Sequence, residues 1–251
     1  MAPIRKGDGT PLEIPGVQEV RSGDGRVFFD GDAIPDSEDL QLHHDASDID
    51  ADDGDSIISW PSGIAGPTLD QGEGGEYIES VADIDGQPSV HIADGDLLYA
   101  NQAGVAIEQP FLVFGVVRHV DFPGDSAQDL VCGVDPDGSS EWRTISARSG
   151  EWWLYAGEDI RGGTPDTDWH YRVDIVDGGD SELRLDGTEI TTGDAGSREQ
   201  GFDEAYGFGG RIISDTAFSN SEIAEVGVYD NADPELVGEL EDYMREKYGF
   251  D

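Results

Sequence analysis

Aromatic and arginine side chains are concentrated in one short stretch of this chain. Trp142, Arg143, Trp152, Trp153 and Tyr155 flank a pattern typical of a β-hairpin. Sugars stack on exposed aromatic rings while polar neighbours bind their hydroxyls, so this set of residues is a candidate glycan site. Adjacent strand residues point to opposite faces, which places one of Trp152 and Trp153 in the core. The other faces either a ligand or a subunit interface, and the sequence leaves both open.

A loop rich in aspartate is the second candidate for chemistry. Asp48, Asp50, Asp52 and Asp53 offer the oxygen ligands that Ca²⁺ and Mg²⁺ prefer. The EF-hand pattern does not fit, because Gly54 is out of register and no glutamate stands at the twelfth position. Two interpretations remain, a solvated acidic loop or a divalent-cation site. We expect no cofactor to be required.

The elements that must position these residues are mostly strands. Short apolar runs separated by Gly, Asp and Pro loops extend from residue 39 onward, which predicts an all-β sandwich or barrel. Tyr171, Val173 and Ile175 alternate with polar residues and share one face; we expect Val173 to fill the core. A helix should close the chain, starting at Asp233 and Pro234 and ending before Gly249.

The charge balance restricts the partners. The chain has 56 Asp and Glu against 14 Lys and Arg, giving a net charge of -42. Such a surface repels itself in dilute buffer, whereas molar salt screens it, so we expect a protein of a halophilic organism or its virus. The same charge argues against nucleic acid and anionic membranes as partners.

Residues 1–38 are predicted to form a separate module from the main domain at 39–251. Ile4–Thr10 and Val20–Phe29 are candidate hairpins, each around a Gly-Asp-Gly turn. A segment of this size cannot bury a core of its own. It must therefore attach to the main domain, to sister subunits or to a larger assembly.

Three pairs of sequence segments, in the same order along the chain as in the family, resemble the concanavalin A-like lectin and laminin-G domains. They are Leu42–Ser47 with Asp53–Gly63, Trp169–Val173 with Leu183–Gly187, and Ile223–Asp230 with Tyr243–Gly249. The resemblance implies a jelly-roll sandwich over residues 40–251. It also implies that a cation could bind at the rim of the sandwich, as in laminin-G relatives.

Related hydrolases of that fold carry their two carboxylates in a Glu-x-Asp-x-x-Glu strand motif. This motif is missing here, because Glu222-Ile223-Ala224-Glu225 lacks the central Asp. We therefore expect a binding or structural protein and not an enzyme.

The N-terminal run over Pro3–Thr10, Ile14–Val17 and Val20 resembles structural proteins of tailed viruses of haloarchaea. This implies a virion protein displayed as a tail fibre, spike or capsid decoration. The first ten residues lack the apolar stretch of a signal peptide, so we expect the protein to be made in the host cytoplasm. Residues 1–38 would contact other virion proteins, and the sandwich would contact host surface glycans. We expect a homo-oligomer, with a trimer favoured. The alternatives are a host glycan-binding, adhesin-like lectin domain and, third, a polysaccharide hydrolase.

Overall fold

The computed structural model divides into two compact units, Met1–Ile34 and Pro35–Asp251, where we expected the boundary after residue 38. It describes residues 19–21, 27–29, 34–35, 38–63, 65–72, 74–93, 95–101, 105, 107–121, 127–128, 130–134, 141–197, 205–210 and 219–250. In the first unit, the strands β1 (Glu19–Arg21) and β2 (Val27–Phe29) pair antiparallel. This confirms the second hairpin, whereas the hairpin expected at Ile4–Thr10 lies outside the described residues.

The second unit is built mainly from strands. Those of its first half are β3 (Leu40–Asp45), β4 (Ser56–Ile57), β5 (Gln71–Gly72), β6 (Gly75–Val81), β7 (Gln87–Ile92), β8 (Leu98–Asn101) and β9 (Phe111–His119). Those that follow are β10 (Ala127–Gln128), β11 (Val131–Val134), β12 (Glu141–Arg148), β13 (Glu151–Tyr155), β14 (Asp159–Gly162), β15 (His170–Val176), β16 (Ser181–Leu185), β17 (Thr188–Gly193), β18 (Ala205–Phe208) and β19 (Ser221–Tyr229). The helix α1 (Pro234–Tyr248) comes last.

These strands form two antiparallel sheets. An eight-stranded sheet has the order β14-β13-β12-β11-β18-β8-β5, with β10 beside β12. A nine-stranded sheet has the order β17-β16-β15-β9-β19-β7-β6-β4, with β3 beside β19. Large side chains from both sheets, among them Leu154, Phe208 and Val226, meet in one buried core. The all-β sandwich with a closing helix is therefore confirmed.

Strand β15 has both faces buried, for different reasons. Arg172 is paired with Gly115, and a Cβ on that glycine would lie 2.8 Å from Ile145 of the opposite sheet. Cross-strand partners share a face, so Arg172 and Asp174 point into the sandwich. Val173 faces the other way. It is buried as expected, but between its sheet and α1 and not in the sandwich core.

Helix α1 follows the prediction at both ends. The Asp233 side chain accepts a hydrogen bond from the Glu235 backbone N–H at 2.8 Å, and Pro234 occupies the first turn. Gly249 ends the helix with a φ of 69°, the left-handed conformation that glycine adopts at little cost. Leu240 and Met244 are buried against the outer face of the nine-stranded sheet. No helix among the described residues is long and apolar enough to cross a bilayer.

A buried carboxylate attaches α1 to this sheet. Glu225 of β19 accepts hydrogen bonds from the hydroxyls of Tyr243 (2.9 Å) and Tyr248 (2.8 Å) and from the ammonium of Lys247 (2.9 Å). The imidazole Nε2 of His43 lies 2.7 Å from the same carboxylate. Burial alone would raise the pKa of Glu225, but the His43 hydrogen bond and the Lys247 charge outweigh it and lower the pKa to about 2. The charged form is therefore the one that holds the helix.

Replacing Glu225 with Gln should destabilise the fold by about 3 kcal/mol near neutral pH, because the depressed pKa corresponds to that much preference for the ionised form. The advantage of the wild type is fully present above the ordinary pKa of 4.5 and is lost as the pH falls through about 2. Urea unfolding of both proteins across this range measures the difference. Glu239→Gln, on the exposed side of the same helix, is the control and should cost no more than about 0.5 kcal/mol. A Glu225 difference that stays constant with pH would contradict this account.

Candidate ligand-binding face

Charged and aromatic side chains gather on the outer face of the eight-stranded sheet. They are Arg143 and Arg148 of β12, Trp153 and Tyr155 of β13, and Arg161 of β14, and we call this set the arginine–aromatic face. The guanidinium carbons of Arg143, Arg148 and Arg161 lie 5.1, 5.0 and 5.9 Å from the centroid of the Trp153 ring. Arg143 also lies 5.0 Å from the centroid of Tyr155. These distances are those of cation–π contacts.

The accessible groups of this face are two guanidinium groups and one phenol ring. Trp153 is covered completely, with 0% of its surface exposed, whereas Arg148, Tyr155 and Arg161 are half-buried. The indole N–H of Trp153 donates to the Asp159 carboxylate at 3.0 Å, and Arg161 pairs with the same carboxylate. Trp153 therefore packs beneath the arginines and is not accessible to a ligand. A ligand on this face would contact Arg148, Arg161 and Tyr155.

A β-bulge puts the two arginines of β12 on the same face. Arg143 is opposite Tyr155, but Ser146 is opposite Trp153, so β12 advances three residues while β13 advances two. In a regular strand Arg143 and Arg148 are five positions apart and would point to opposite faces. The extra residue restores their alignment, and both guanidinium groups reach Trp153.

The bulge is held from inside the sandwich. Ile145 has a φ of 49°, which is rare for a β-branched residue, and its backbone N–H donates to the buried Asp174 carboxylate at 2.8 Å. Arg172 pairs with Asp174 and donates to the carbonyls of Ser146 at 2.9 Å and Trp153 at 2.8 Å. Both members of the pair are 0% exposed. An ion pair on β15 thus fixes the backbone of both strands that carry the face.

The structure separates the residues that the sequence grouped as a glycan site. Trp152 points into the core, 1% exposed, with its ring 5.5 Å from His119 and 5.7 Å from His170. It cannot contact a ligand on the outer face, because strand neighbours alternate. The Trp142 side chain lies outside the described residues. Arg148 and Arg161 were missed, since the first requires knowledge of the bulge and the second of the β13–β14 register.

The four aspartates that were candidates for a cation site do not converge. Asp48, Asp50, Asp52 and Asp53 are all exposed, and Asp53 accepts a hydrogen bond from the backbone N–H of Glu79 at 3.2 Å. Metal ligands must place several oxygens around one point. Within the described part of the chain, none of these four belongs to a group with three ligand atoms within 4.8 Å of one another.

Three potential metal ligands do lie close together beneath α1. His43, Asp45 and Glu225 bring three ligand atoms within 4.8 Å of one another, and all three residues are buried. The ammonium of Lys247 already pairs with both Asp45 and Glu225. Burial would lower the pKa of Lys247, but the charges of Glu225 and Asp45 raise it. A lysine therefore occupies the position of a cation, and the group stabilises the fold.

A depression of about 410 Å³ lies at the turn between β13 and β14. It is lined by Gly157, Glu158, Asp194, Gly196 and Ser197. The Asp194 carboxylate accepts the backbone N–H of Gly196 at 2.9 Å. Its two carboxylates give this depression the opposite charge to the neighbouring arginine–aromatic face, and it offers no aromatic ring for stacking.

No family model and no curated protein matches the chain, whereas solved structures share its fold. Trypanosoma rangeli sialidase in complex with sialic acid matches 94% of this chain and 37% of that one, with a TM-score of 0.54 and 12% identity. The receptor-binding domain of botulinum neurotoxin C/D mosaic serotype matches 82% of this chain and 51% of that one, with a TM-score of 0.59 and 11% identity. The binding domain of Paraclostridial Mosquitocidal Protein 1 gives a TM-score of 0.54 at 13% identity, over 84% of this chain and 52% of that one. The chain thus spans about a third to a half of the length of these proteins, and the likeness is one of fold.

The expectation that the chain is not an enzyme is contradicted. It rested on one missing hydrolase motif in a lectin-like sandwich, whereas the solved structures with this fold include sialidases, which are enzymes. The sandwich matches only 34% to 37% of those chains. Neither this fold nor the absence of the Glu-x-Asp-x-x-Glu motif therefore excludes catalysis.

Removing the buried arginine should destabilise the whole sandwich. Arg172→Met leaves the buried Asp174 carboxyl group without its partner in the core, which should cost about 3–5 kcal/mol in chemical denaturation. The double change Arg172→Met and Asp174→Leu should recover most of that loss, because it also removes the unpaired carboxyl group. Arg245→Met breaks an exposed pair with Asp242 and should cost no more than about 1 kcal/mol. An Arg172→Met cost as small as that of Arg245→Met would show that the core pair does not hold the bulge.

Proposed function

We propose that this chain is a glycan-binding module and that the arginine–aromatic face is its contact surface. The observation that carries the proposal is the convergence of Arg148, Tyr155 and Arg161 on one accessible patch, aligned by the bulge in β12. A phenol ring offers a stacking surface for a pyranose, and guanidinium groups donate to its oxygens in a fixed geometry.

The face also has the rigidity that recognition requires. Its side chains project from paired strands, and Trp153 beneath them is fully buried and hydrogen-bonded. Binding groups on sheets supported by a second layer of contacts lose little conformational entropy when a ligand arrives. Two solved structures with this fold support the glycan-binding proposal, because one is a sialidase in complex with sialic acid and another is a receptor-binding domain.

The setting that we propose for this binding is the surface of a virion, with a host adhesin-like lectin as the alternative. The net charge of -42, the separate unit Met1–Ile34 and the N-terminal resemblance to viral structural proteins support it. A trimer would present several weak glycan sites together. Antibody labelling of purified particles tests the setting. Label on the particles supports it, and protein found only free in cells or medium favours the lectin.

A glycan array with neutral and acidic oligosaccharides tests the binding function. The full chain should retain at least one saccharide, and Tyr155→Ala should weaken that binding by about tenfold, because it removes a stacking contact of about 1.4 kcal/mol. Tyr99→Ala is the matched control. Tyr99 is also half-buried and lies on the outer face of the same sheet, but on β8, three strands away from β12. Retention of no saccharide, or equal losses from the two variants, would overturn the proposal.

A further inference from the structure

The arginines of this face stand out against the rest of the molecule. The chain has four times as many acidic as basic residues, 56 against 14. Other arginines accordingly pair with carboxylates, as in Arg118 with Glu222, Arg172 with Asp174 and Arg184 with Glu241. On the outer face of the eight-stranded sheet, three guanidinium groups surround one indole ring, and Arg161 among them also pairs with Asp159.

Arg148 differs most clearly from the arginines that pair with carboxylates. Its guanidinium lies 5.0 Å from the centroid of Trp153, and within the described part of the chain it forms no ion pair with a carboxylate. A guanidinium carries five N–H donors, and a cation–π contact provides no hydrogen-bond acceptor for them. Arg148 is half-buried, so those N–H groups are partly desolvated and still reachable.

Arg161 also has hydrogen-bond donors that are available to a ligand. It pairs with Asp159 through one terminal nitrogen, while its Nε is buried and has no hydrogen-bond acceptor among the described residues. Asp159 also accepts the Trp153 indole N–H, and its single negative charge can balance only one guanidinium charge. A buried donor without an acceptor is costly and is common where a ligand supplies the missing group.

We infer that the arginine–aromatic face binds a saccharide through an anionic group, a carboxylate or sulfate, held between Arg148 and Arg161. This inference rests on the proposed glycan-binding function and specifies the class of ligand. Guanidinium groups form paired, charge-assisted hydrogen bonds with such oxyanions. The accessible part of the half-buried Tyr155 ring, on the strand between them, supplies the stacking surface for the sugar that bears the charge.

The acidic surface around the arginine–aromatic face favours a saccharide with one anionic group over a nucleic acid. A polyanion that extends beyond the three arginines would meet a surface dominated by carboxylates, and the repulsion grows with each added charge. A single carboxylate or sulfate group contacts only the local positive patch. The acidic surface therefore acts against long polyanions, while the face accepts a sparsely charged saccharide.

Calorimetry with matched trisaccharides tests the inference on the full chain. The probes are a galactose trisaccharide with one galacturonic acid, the neutral methyl ester of that acid and a galactose trisaccharide with one sulfate. The buffer contains about 1 M KCl, where the Debye length of about 3 Å leaves only contact pairs unscreened. We expect the acid or the sulfated sugar to bind at least about tenfold more tightly than the ester. Preference for one of the two assigns carboxylate or sulfate as the anionic group.

Variants connect the preference to the face. Arg148→Gln and Arg161→Gln should each weaken binding of the anionic sugar by about tenfold and binding of the ester by no more than about threefold. Arg148→Lys, which keeps the charge but loses the paired geometry, should lose less of the anion binding. Arg245→Gln, an exposed arginine on α1, is the control and should bind as the wild type does. Equal affinity for acid and ester, or undiminished anion binding by both glutamine variants, overturns the inference while the glycan function stands. Failure to bind any saccharide overturns both.

Discussion

The buried ion pair between Arg172 and Asp174 connects the interior of this protein to its surface. An unpaired charge inside a sandwich would cost several kcal/mol, so the two side chains must remain together and their remaining polar atoms must find partners. Those partners are backbone groups of the opposite sheet: the N–H of Ile145 and the carbonyls of Ser146 and Trp153. The pair therefore determines the path of β12 and its registration against β13, and through them which side chains share the outer face.

The left-handed conformation of Ile145 follows from this constraint. A β-branched residue with positive φ is strained, and such strain persists only where the surroundings fix it. Here the fixing contacts are the hydrogen bond to Asp174 and the packing of the isoleucine side chain against Gly115. The result is an inserted residue that brings Arg143 and Arg148 to the same face. The stability of the core and the geometry of the candidate site are thus two consequences of one interaction.

Local features of the fold were predictable from sequence, and long-range ones were not. The cap at Asp233, the proline at 234 and the terminal Gly249 define α1, because helix ends depend on neighbouring residues. Regular alternation also placed Tyr171 and Val173 together. It could not show that the polar side of β15 faces the core, since that depends on α1 covering the other side. Ile145 is 29 residues from the aspartate that holds it, and no local pattern signals this contact. Arg148 was missed as a site residue for that reason. Trp153 was identified together with Arg143 but without Arg148 and Arg161, which also contact its ring.

The most direct test of the central claim is to observe the indole N–H groups of the five tryptophans by ¹H–¹⁵N NMR during a glycan titration. Trp153 lies beneath all three arginines and donates to the carboxylate shared with Arg161, whereas Trp60 and Trp152 are enclosed in the sandwich core. The Trp153 signal, assigned with Trp153→Phe, should shift as saccharide is added, and the Trp60 and Trp152 signals should stay in place. A saccharide that binds without moving the Trp153 signal would show that the ligand-binding surface lies elsewhere.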